Sequence, residues 1–325
     1  MAERPHGKAG WLGTGRMGTV LVRRLLAAGL DVSVYNRTRA RAEPLAADGA
    51  HLVGRASDLA AARVVFVTVG TSEDLLDALL GAAGLMSGAH APGIVIDLST
   101  VSVEASGQVR QELARRGTQF LAAPVSGNPR VAAAGRLTFA VSGSPDAAAE
   151  AEAYLDILGA GASYVGAGEI ARTVKLCHNL LLGVVTQSLA EVTVLAEKAG
   201  VSRQAFLACI NDSVLGSTFT RYKSPALVNL DFHPTFTAEL LRKDFDLGLA
   251  AARENEVPMP VAALVHQIVQ GLVGQGYGQQ DFATLIEVQA RSAGLELASE
   301  NAFVPDGLQP VADGAVTPAT APATN

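Results

Sequence analysis

The fold is decided within residues 9–38, which read AGWLGTGRMGTVLVRRLLAAGLDVSVYNRT. An apolar run, Ala9–Leu12, ends at a glycine-rich turn, and Arg16–Ala28 then repeats Leu, Val and Ala at helical spacing. A second apolar run follows at Asp31–Tyr35. Strand, helix and strand in this order predict a right-handed βαβ unit and therefore a parallel sheet.

The turn that joins the first strand to the first helix follows the pattern Gly-x-Gly-x-x-Gly and consists of Gly13, Thr14, Gly15, Arg16, Met17 and Gly18. Such glycines allow a tight bend, close approach of a pyrophosphate, and close packing of the helix on the strand. The N-terminus of the following helix also attracts an anion. The chain contains 33 glycines, so the pattern alone is weak. Its position between strand and helix predicts a dinucleotide site rather than an ordinary loop.

The end of the second strand indicates which dinucleotide would bind. An acidic residue about 20 positions after the glycines would hold the adenosine ribose hydroxyls and favour NAD. The chain has no carboxylate at this tip and instead reads Asn36, Arg37, Thr38 and Arg39, with Arg41 close by. Arg37 and Thr38 offer a guanidinium fork and a hydroxyl, which suit a 2′-phosphate. The sequence therefore favours NADP(H) over NAD(H), the alternative being a solvated basic turn.

Strands and helices alternate through the first half of the chain. Further strands are predicted at Val64–Val69, Gly93–Asp97, Gln119–Ala122 and Thr138–Ser142. Further helices are predicted at Arg39–Asp48, Ser72–Leu80 and Ser102–Arg116. After about Ala167 the pattern is helical, with helices at Ala171–Ala199, Ser202–Asn211, Ala238–Glu254, Val261–Gly274 and Asp281–Leu297. We predict a dinucleotide-binding domain at residues 1–168, an all-helical substrate and oligomerisation domain at 169–300, and a disordered, Pro- and Ala-rich tail at 301–325.

The longest predicted helix, Ala171–Ala199, would measure about 43 Å and carries Leu or Val on nearly every side. A helix with this composition is buried on nearly every side. We therefore expect it to lie between the domains or in a subunit interface. Its large apolar surface predicts a homodimer or homotetramer.

The composition excludes several classes of protein. Of 325 residues, 49% are hydrophobic and 17% are charged, which excludes a wholly disordered chain. A formal charge of −6 argues against a large basic surface for nucleic acid, and two cysteines are too few for a disulfide scaffold or a Cys-rich zinc site. No uninterrupted apolar run of about 18 residues is found. We expect a cytoplasmic protein with no metal, membrane or nucleic-acid partner.

One lysine lies inside the long apolar helix. Only five of the 25 basic residues are lysines, so the choice of lysine rather than arginine at Lys175 is informative. Asn179, four residues on, shares its face. Burial lowers the pKa of an ammonium group, and a lysine with a lowered pKa can exchange a proton near neutral pH. Lys175 is a candidate general acid or base, although a snorkelling or salt-bridged lysine is commoner. We interpret His178, assigned to another face, as a packing histidine.

Five motifs follow one another in the chain: Gly13–Gly18, Asp97–Thr100, Ala123–Gly127, Lys175–Asn179 and Lys243–Phe245. With these motifs, residues 9–297 resemble the β-hydroxyacid dehydrogenases, which include 3-hydroxyisobutyrate dehydrogenase and glyoxylate/succinic semialdehyde reductase. The resemblance implies an α/β fold of the 6-phosphogluconate dehydrogenase type. An N-terminal Rossmann domain with a doubly wound parallel sheet is followed in that fold by an all-α domain. The resemblance also implies dimers or tetramers.

The resemblance implies roles for the residues that would meet the substrate. Lys175 would be the catalytic lysine, and Asn179 would help to hold the substrate near it. Ser126 and Gly127 would bind the carboxylate of the substrate, largely through backbone amides. These four residues predict a small-molecule carboxylate as the partner of the enzyme.

The glycine turn, residues 13–18, and the tip of the second strand, residues 36–38, are the candidates for holding the phosphates and adenosine end of the cofactor. The resemblance adds two residues near its nicotinamide end. Thr100 would lie near the nicotinamide, and Lys243 would reach over the cofactor from the helical domain with support from Asp244.

Two positions depart from the pattern of the family. Asn128 stands where a second glycine is usual. Because asparagine tolerates left-handed backbone, we expect the turn to persist, but its side chain could project into the pocket and alter the substrate. Gly166 and Gly168 lie further before Lys175 than the usual glycine pair, so we expect the start of the helix to differ.

The predicted function is transfer of hydride between NADP(H) and a small β-hydroxy acid, semialdehyde or 2-oxo acid, with Lys175 as general acid/base. An imine reductase or reductive aminase of the same architecture is the first alternative, although such enzymes usually carry another residue at this position. The second alternative is a non-catalytic NADP-binding module. The presence of Lys175, Asn179 and Lys243 argues against that module.

Overall fold

The computed structural model describes residues 7–308, and the first half of the chain forms a nine-stranded sheet. The strands are β1 (Lys8–Leu12), β2 (Asp31–Tyr35), β3 (His51–Leu52), β4 (Val64–Val67), β5 (Ile94–Asp97), β6 (Gln119–Ala122), β7 (Val125–Ser126), β8 (Thr138–Ser142) and β9 (Gly161–Gly166). The helices among them are α1 (Arg16–Ala27), α2 (Glu43–Ala47), α3 (Ser72–Leu80), α4 (Val103–Ala114), α5 (Pro129–Ala133) and α6 (Pro145–Leu158). Strands β4 and β5 are buried at every position because helices cover both faces of the sheet.

The first six strands have the order of a doubly wound Rossmann sheet. They lie side by side as β3-β2-β1-β4-β5-β6 and are parallel throughout. The predicted fold class is therefore confirmed. Strand β8 departs from the predicted parallel pattern because it pairs antiparallel with β6 and β7. The chain turns back through β7 and the short α5 at this point, and a parallel pairing would need a longer crossover.

Several elements of the first half differ from the sequence-based prediction, which did not include strands β3, β7 and β9 or helix α5. Helix α6 was not predicted, because its first half buries only Ala147 and Ala151, and the large buried residues Tyr154, Leu155 and Leu158 come together at its end. The helix predicted at Arg39–Asp48 is a 3₁₀ turn at Arg39–Arg41 followed by the five-residue α2.

The second half of the chain is helical. Its helices are α7 (Ile170–Lys198), α8 (Arg203–Asp212), α9 (Thr218–Asn229), α10 (Ala238–Glu254), α11 (Pro260–Leu272) and α12 (Leu285–Ser292). Helix α9 was not predicted, and it contains Pro225 in its interior. The predicted helix Asp281–Leu297 is shorter in the structure because Asp281 caps a separate 3₁₀ turn and Gly294 adopts a left-handed conformation.

Helix α7 is the central helix of the second half, and one of its faces packs against α10, α11 and α12. By length and composition it is the one helix among residues 7–308 that could cross a membrane, yet half of its most apolar stretch is buried inside the protein. Its other face is exposed at Val174, Leu181, Val185, Val192 and Leu195. The prediction that this helix is buried on nearly every side is therefore wrong for the single chain.

The end of the described chain returns from the helical half to the sheet half. Arg130 donates a hydrogen bond to Asp306 at 2.9 Å, and Leu308 is buried against the core of the sheet. The prediction of disorder is wrong for residues 301–308, because these contacts hold the segment against α5. Residues 309–325 of the predicted tail lie outside the described residues.

Candidate active site

A cleft of about 500 Å³ lies where the carboxyl ends of β1, β2, β4 and β5 meet α7 and α10. This edge of a doubly wound sheet, where the strand order reverses between β1 and β4, is where such folds bind dinucleotides. The predicted site residues that line the cleft are Gly13, Gly15, Arg16, Met17, Gly18, Asn36, Arg37, Thr38, Thr100, Gly127, Lys175, Asn179 and Lys243. Thr14 and Ser126 do not line it.

The glycine turn has a shape that only glycine allows. Gly13 has a φ of +95°, and a Cβ atom on it would lie 2.0 Å from the carbonyl oxygen of Thr68. A Cβ on Gly18 would lie 2.1 Å from the carbonyl oxygen of Gly13, so α1 can pack closely on β1. A Cβ on Gly15 would meet no described atom within 4 Å and would extend into open space before α1. The turn therefore fits a pyrophosphate at the N-terminus of α1.

Thr14 and Asn36 hold this turn in place. The backbone amide of Thr14 donates to the side-chain oxygen of Asn36 at 2.9 Å, and the side-chain nitrogen of Asn36 donates to the carbonyl of Thr38 at 2.9 Å. The side chain of Thr14 is buried. Thr14 thus shapes the turn instead of facing the cleft as the sequence predicted.

The basic tip of β2 meets two carboxylates from α3. A guanidinium nitrogen of Arg37 lies 3.2 Å from a carboxylate oxygen of Asp74 and 3.9 Å from one of Asp77. The Arg37 side chain nevertheless remains 76% exposed. Its guanidinium and the adjacent Thr38 both border the cleft, and this donor set fits a phosphate on the adenosine ribose.

Lys175 lies at the inner end of the cleft, and its ammonium donates to the side-chain oxygen of Asn179 at 2.8 Å. Among the described residues it forms no salt bridge with a carboxylate. Part of the side chain faces the cleft, and protein encloses the rest. Burial lowers the pKa of Lys175 to about 8, with nearby Asp244 opposing this shift and Lys243 adding to it. An amine with this pKa can give up or accept a proton near neutral pH.

Asn179 is anchored to α10 through Asp244. The amide nitrogen of Asn179 donates to the Asp244 carboxylate, which also lies 3.5 Å from the ammonium of Lys243. Lys243 in turn donates to the carbonyl oxygens of Gly70 and Thr100, at 3.1 and 3.0 Å. Burial raises the pKa of Asp244, against the opposing influence of the Lys243 charge. These contacts fix the orientation of Asn179 and join α10 to the loops after β4 and β5.

Ser126 reaches the network around Lys175 through a histidine. The hydroxyl oxygen of Ser126 lies 2.9 Å from Nε2 of His178, and Nδ1 of His178 lies 2.9 Å from the side-chain oxygen of Asn179. His178 is solvent-accessible. Its interpretation as a packing histidine on another face is wrong, because the residue is exposed and its ring contacts both Ser126 and Asn179. Residues three apart on a helix are neighbours, so His178 lies beside Lys175.

The turn after Ser126 differs from the expectation for Asn128. Gly127 supplies the left-handed conformation, with a φ of +127°, whereas Asn128 is extended with a φ of −118°. The side-chain oxygen of Asn128 accepts hydrogen bonds from the amides of Arg130 and Val131 at 2.9 and 3.0 Å. Asn128 therefore caps α5 with its side-chain oxygen, while the residue still borders the cleft.

A buried arginine holds the start of α7. Arg172 is 1% exposed and donates to the carboxylate of Asp97, to the carbonyl of Ser99 at 2.6 Å and to the hydroxyl of Ser106 at 3.0 Å. Asp97 ends β5, and Ser99 belongs to the loop that carries Thr100 into the cleft. Arg172 therefore connects the helix of Lys175 to the sheet edge beneath the predicted nicotinamide site.

The residues before Arg172 attach the start of this helix to α4. Gly166 and Gly168 both have positive φ and bring the chain to Glu169 at the N-terminus of α7. The carboxylate of Glu169 accepts hydrogen bonds from Ser106 and Arg110 of α4. These hydrogen bonds fix the start of α7 against α4.

Arg172 was not predicted as a site residue, although it lies three residues before Lys175. The spacing was a usable signal for Arg172, since residues three apart share a helix face.

Burial of a lysine is by itself a weak signal of a catalytic role. Lys223 is also buried, but it pairs with Asp281 at 2.6 Å, so it is the absence of such a partner that distinguishes Lys175 within the described chain.

The two halves of the chain match two related sequence families. Residues 8–167 match the NAD binding domain of 6-phosphogluconate dehydrogenase, and residues 166–289 match the NAD-binding domain of NADP-dependent 3-hydroxyisobutyrate dehydrogenase. Glyoxylate/succinic semialdehyde reductase 2 of Arabidopsis thaliana is 28% identical over 279 residues, which cover 86% of this chain and 78% of that protein. The probable 3-hydroxyisobutyrate dehydrogenase-like 2 of the same plant is 31% identical over 296 residues, which cover 91% and 97%.

Solved structures agree with these matches. The 3-hydroxyisobutyrate dehydrogenase from Salmonella typhimurium superposes with a TM-score of 0.78 at 25% identity, covering 87% of this chain and 100% of that one. A reductive aminase from Aspergillus terreus, at 22% identity and a TM-score of 0.56 over 87% and 99% of the two chains, shares the fold. The resemblance found in the sequence is confirmed: the chain belongs to the β-hydroxyacid dehydrogenase family and is an NAD(P)-dependent oxidoreductase.

Proposed function

We propose that this protein uses NADP(H) to interconvert a small β-hydroxy acid with the corresponding semialdehyde, or to reduce a small 2-oxo acid. The observation that carries the proposal is Lys175, an amine with a pKa of about 8 that lies in the dinucleotide cleft without a carboxylate partner among the described residues. Such an amine suits proton exchange at an alcohol or carbonyl oxygen, for which a permanently charged arginine would not serve.

When bound in the cleft, the cofactor would supply hydride chemistry at a carbonyl or alcohol carbon of the substrate, and the glycine turn, Thr100 and Lys243 would hold it there. During reduction Lys175 gives its proton to the oxygen as negative charge develops there. During oxidation the neutral amine takes the hydroxyl proton. Asn179 keeps the ammonium aimed at this oxygen, because its own orientation is fixed by Asp244. Ser126 and the backbone at Gly127 hold the carboxylate of the substrate.

The test is a substrate panel assayed with both NADPH and NADH. It contains glyoxylate, small semialdehydes, 3-hydroxypropionate, 3-hydroxyisobutyrate and, for the alternative activity, a cyclic imine. We expect turnover of at least one carboxylate substrate and preference for NADPH. Turnover of the imine alone would identify a reductive aminase or imine reductase instead. NADPH binding without turnover of any compound would favour a non-catalytic module.

Replacement of Arg37 tests the preference for NADP(H). In Arg37→Ser, loss of the guanidinium should raise the KM for NADPH about tenfold to hundredfold, because a hydrogen bond to a charged group contributes about 1.5–3 kcal/mol. The KM for NADH should change little. Arg39→Ser is the matched control, since Arg39 belongs to the same loop and does not line the main cleft. An equal effect of both variants, or on both cofactors, would contradict a specific role for Arg37.

We also propose that the exposed face of α7 forms a homo-oligomer interface. Leu181, Val185, Val192 and Leu195 follow one side of the helix, and the two leucines are 63% and 69% exposed in the single chain. The double variant Leu181→Glu/Leu195→Glu should sediment as a monomer at micromolar concentration, whereas the native protein sediments as a dimer or tetramer. Val214→Glu, on an exposed loop, is the control and should leave the assembly unchanged. A monomeric native protein would contradict the proposal.

A further inference from the structure

The hydrogen bonds around His178 determine which of its nitrogens carries the proton. Asn179 donates through its amide nitrogen to the carboxylate of Asp244, which can only accept. Its side-chain oxygen therefore faces Lys175 and His178, and this oxygen can only accept. Nδ1 of His178 must accordingly donate. In the neutral imidazole Nε2 is then the acceptor, and the hydroxyl of Ser126 donates to it.

This tautomer commits the only hydroxyl proton of Ser126 to the histidine. A hydroxyl has one proton and two acceptor lone pairs, so Ser126 cannot simultaneously donate to His178 and to an anionic ligand. If His178 gains a proton on Nε2, the direction of the bond reverses. His178 then donates to the serine oxygen, and the serine proton becomes free for the ligand.

We propose that His178 is a positioning residue that takes up a proton when a carboxylate substrate binds, and so releases the hydroxyl of Ser126 to hold that carboxylate. The inference rests on the proposed function, in which Ser126 binds the carboxylate. It adds a specific consequence: affinity for carboxylates depends on the protonation of His178, whereas affinity for uncharged ligands of the same shape does not.

The charges around His178 set the pH range of this coupling. Lys175 lies on the same helix, and Asp244 and Lys243 of α10 lie behind Asn179. Partial burial, together with the positive charge of Lys175, lowers the pKa of His178 below its ordinary value of 6.5. The free enzyme therefore holds mostly neutral His178 at pH 6.5. A bound carboxylate adds a negative charge beside Ser126 and raises the pKa of His178, so that binding draws in a proton.

Lys175 titrates in a separate range. Its pKa of about 8 means that it is already protonated at pH 6.5 and takes up little further proton there. The pH dependence of carboxylate binding should accordingly have two limbs. One follows His178 and lies at lower pH, and the other follows Lys175 and lies near pH 8.

The test is calorimetric titration of the NADPH-saturated protein, which cannot oxidise a hydroxy acid, with 3-hydroxypropionate at about pH 6.5, in two buffers of different ionisation enthalpy. We expect uptake of up to about one proton per bound molecule, and an affinity that falls by as much as tenfold per pH unit through the limb of His178. Uncharged 1,3-propanediol should bind with no proton uptake. Binding of 3-hydroxypropionate without uptake would overturn the inference and leave the proposed function intact.

Three variants separate the coupling from general damage. His178→Gln keeps a side-chain donor and cannot titrate, so it should bind 3-hydroxypropionate without proton uptake and keep only the limb near pH 8. Ser126→Ala should also abolish the uptake, although His178 is present. His51→Gln removes a surface histidine that lies 3.3 Å from Asp31 and should behave like the native protein. Uptake that persists in His178→Gln would assign the proton to another group and overturn the inference.

If neither 3-hydroxypropionate nor any other small carboxylate of the panel binds, the proposed substrate class and this inference are both wrong. Retained NADPH binding, followed by fluorescence, shows in each variant that the cleft is folded.

Discussion

Lys175→Ala should lose about 10²- to 10⁴-fold in kcat while it still binds NADPH. The expected loss is the one typical of removing a general acid or base. Alanine cannot exchange a proton, so the variant lacks the amine that we propose to serve the reacting oxygen. The cofactor should still bind, since the glycine turn and the tip of β2 are unchanged. Steady-state rates for the best substrate of the panel, together with NADPH fluorescence titration, measure the two effects separately.

Two further lysine variants sharpen this prediction. Lys175→Arg keeps the positive charge but cannot release its proton in the working pH range, so it should be nearly as inactive as the alanine variant. Lys198→Ala removes an exposed lysine about 35 Å away on the same helix and should retain native activity. Near-normal turnover of Lys175→Ala or Lys175→Arg would remove the lysine from the mechanism.

The pH profiles of the two reaction directions should be opposite in sign. Reduction requires protonated Lys175, so its kcat should fall as the pH rises through about 8. Oxidation requires the neutral amine, so its kcat should rise through the same range. Initial rates measured in both directions between about pH 6 and 10 test this expectation, and parallel profiles would contradict it.

Arg172→Met should cost about 3–5 kcal/mol of the free energy of unfolding, the largest stability effect that we predict. Arg172 and Asp97 are 1% and 0% exposed. Removing the arginine leaves a buried carboxylate without its cation, and such a loss is far more costly than loss of a surface ion pair. Urea denaturation should therefore show a much lower midpoint with an unchanged dependence on denaturant.

A double variant and a surface control distinguish this mechanism from a simple loss of volume. Arg172→Met/Asp97→Asn should be more stable than Arg172→Met alone, because the uncompensated charge is gone. Arg115→Met removes an exposed arginine whose partner is Glu112, and it should cost less than about 1 kcal/mol. A double variant no more stable than Arg172→Met would indicate that packing, and not the buried charge, causes the loss.

Most of the sheet could be predicted from the sequence because its signals are local. The apolar run of β1, the glycine turn and the helical spacing of α1 follow one another directly. Each step restricts the backbone of the next few residues, so periodicity and glycine placement suffice to identify the βαβ unit. Elements with weaker local signals were missed. The alanine-rich first half of α6 and the proline inside α9 do not produce the usual spacing of large apolar residues.

Parts of the candidate site could be found in the same way. Lys175 and Asn179 are one helical turn apart, so their proximity follows from the helix alone. His178 follows the same rule, and its misinterpretation shows that spacing gives neighbours on a helix but not which of them face solvent. Which residues face solvent depends on the segments that pack against the helix, and those segments cannot be identified from the sequence of the helix.

By itself, the sequence determined the Rossmann turn, the succession of sheet and helices, and the position of an unusual lysine on an apolar helix. These depend on interactions between residues a few positions apart. The tertiary structure alone decided that Arg172 pairs with Asp97 across 75 positions, that His178 meets Ser126 across 52, and that one face of α7 stays exposed. Such contacts require distant segments to pack in one arrangement, and their geometry is set by the whole core rather than by any local pattern.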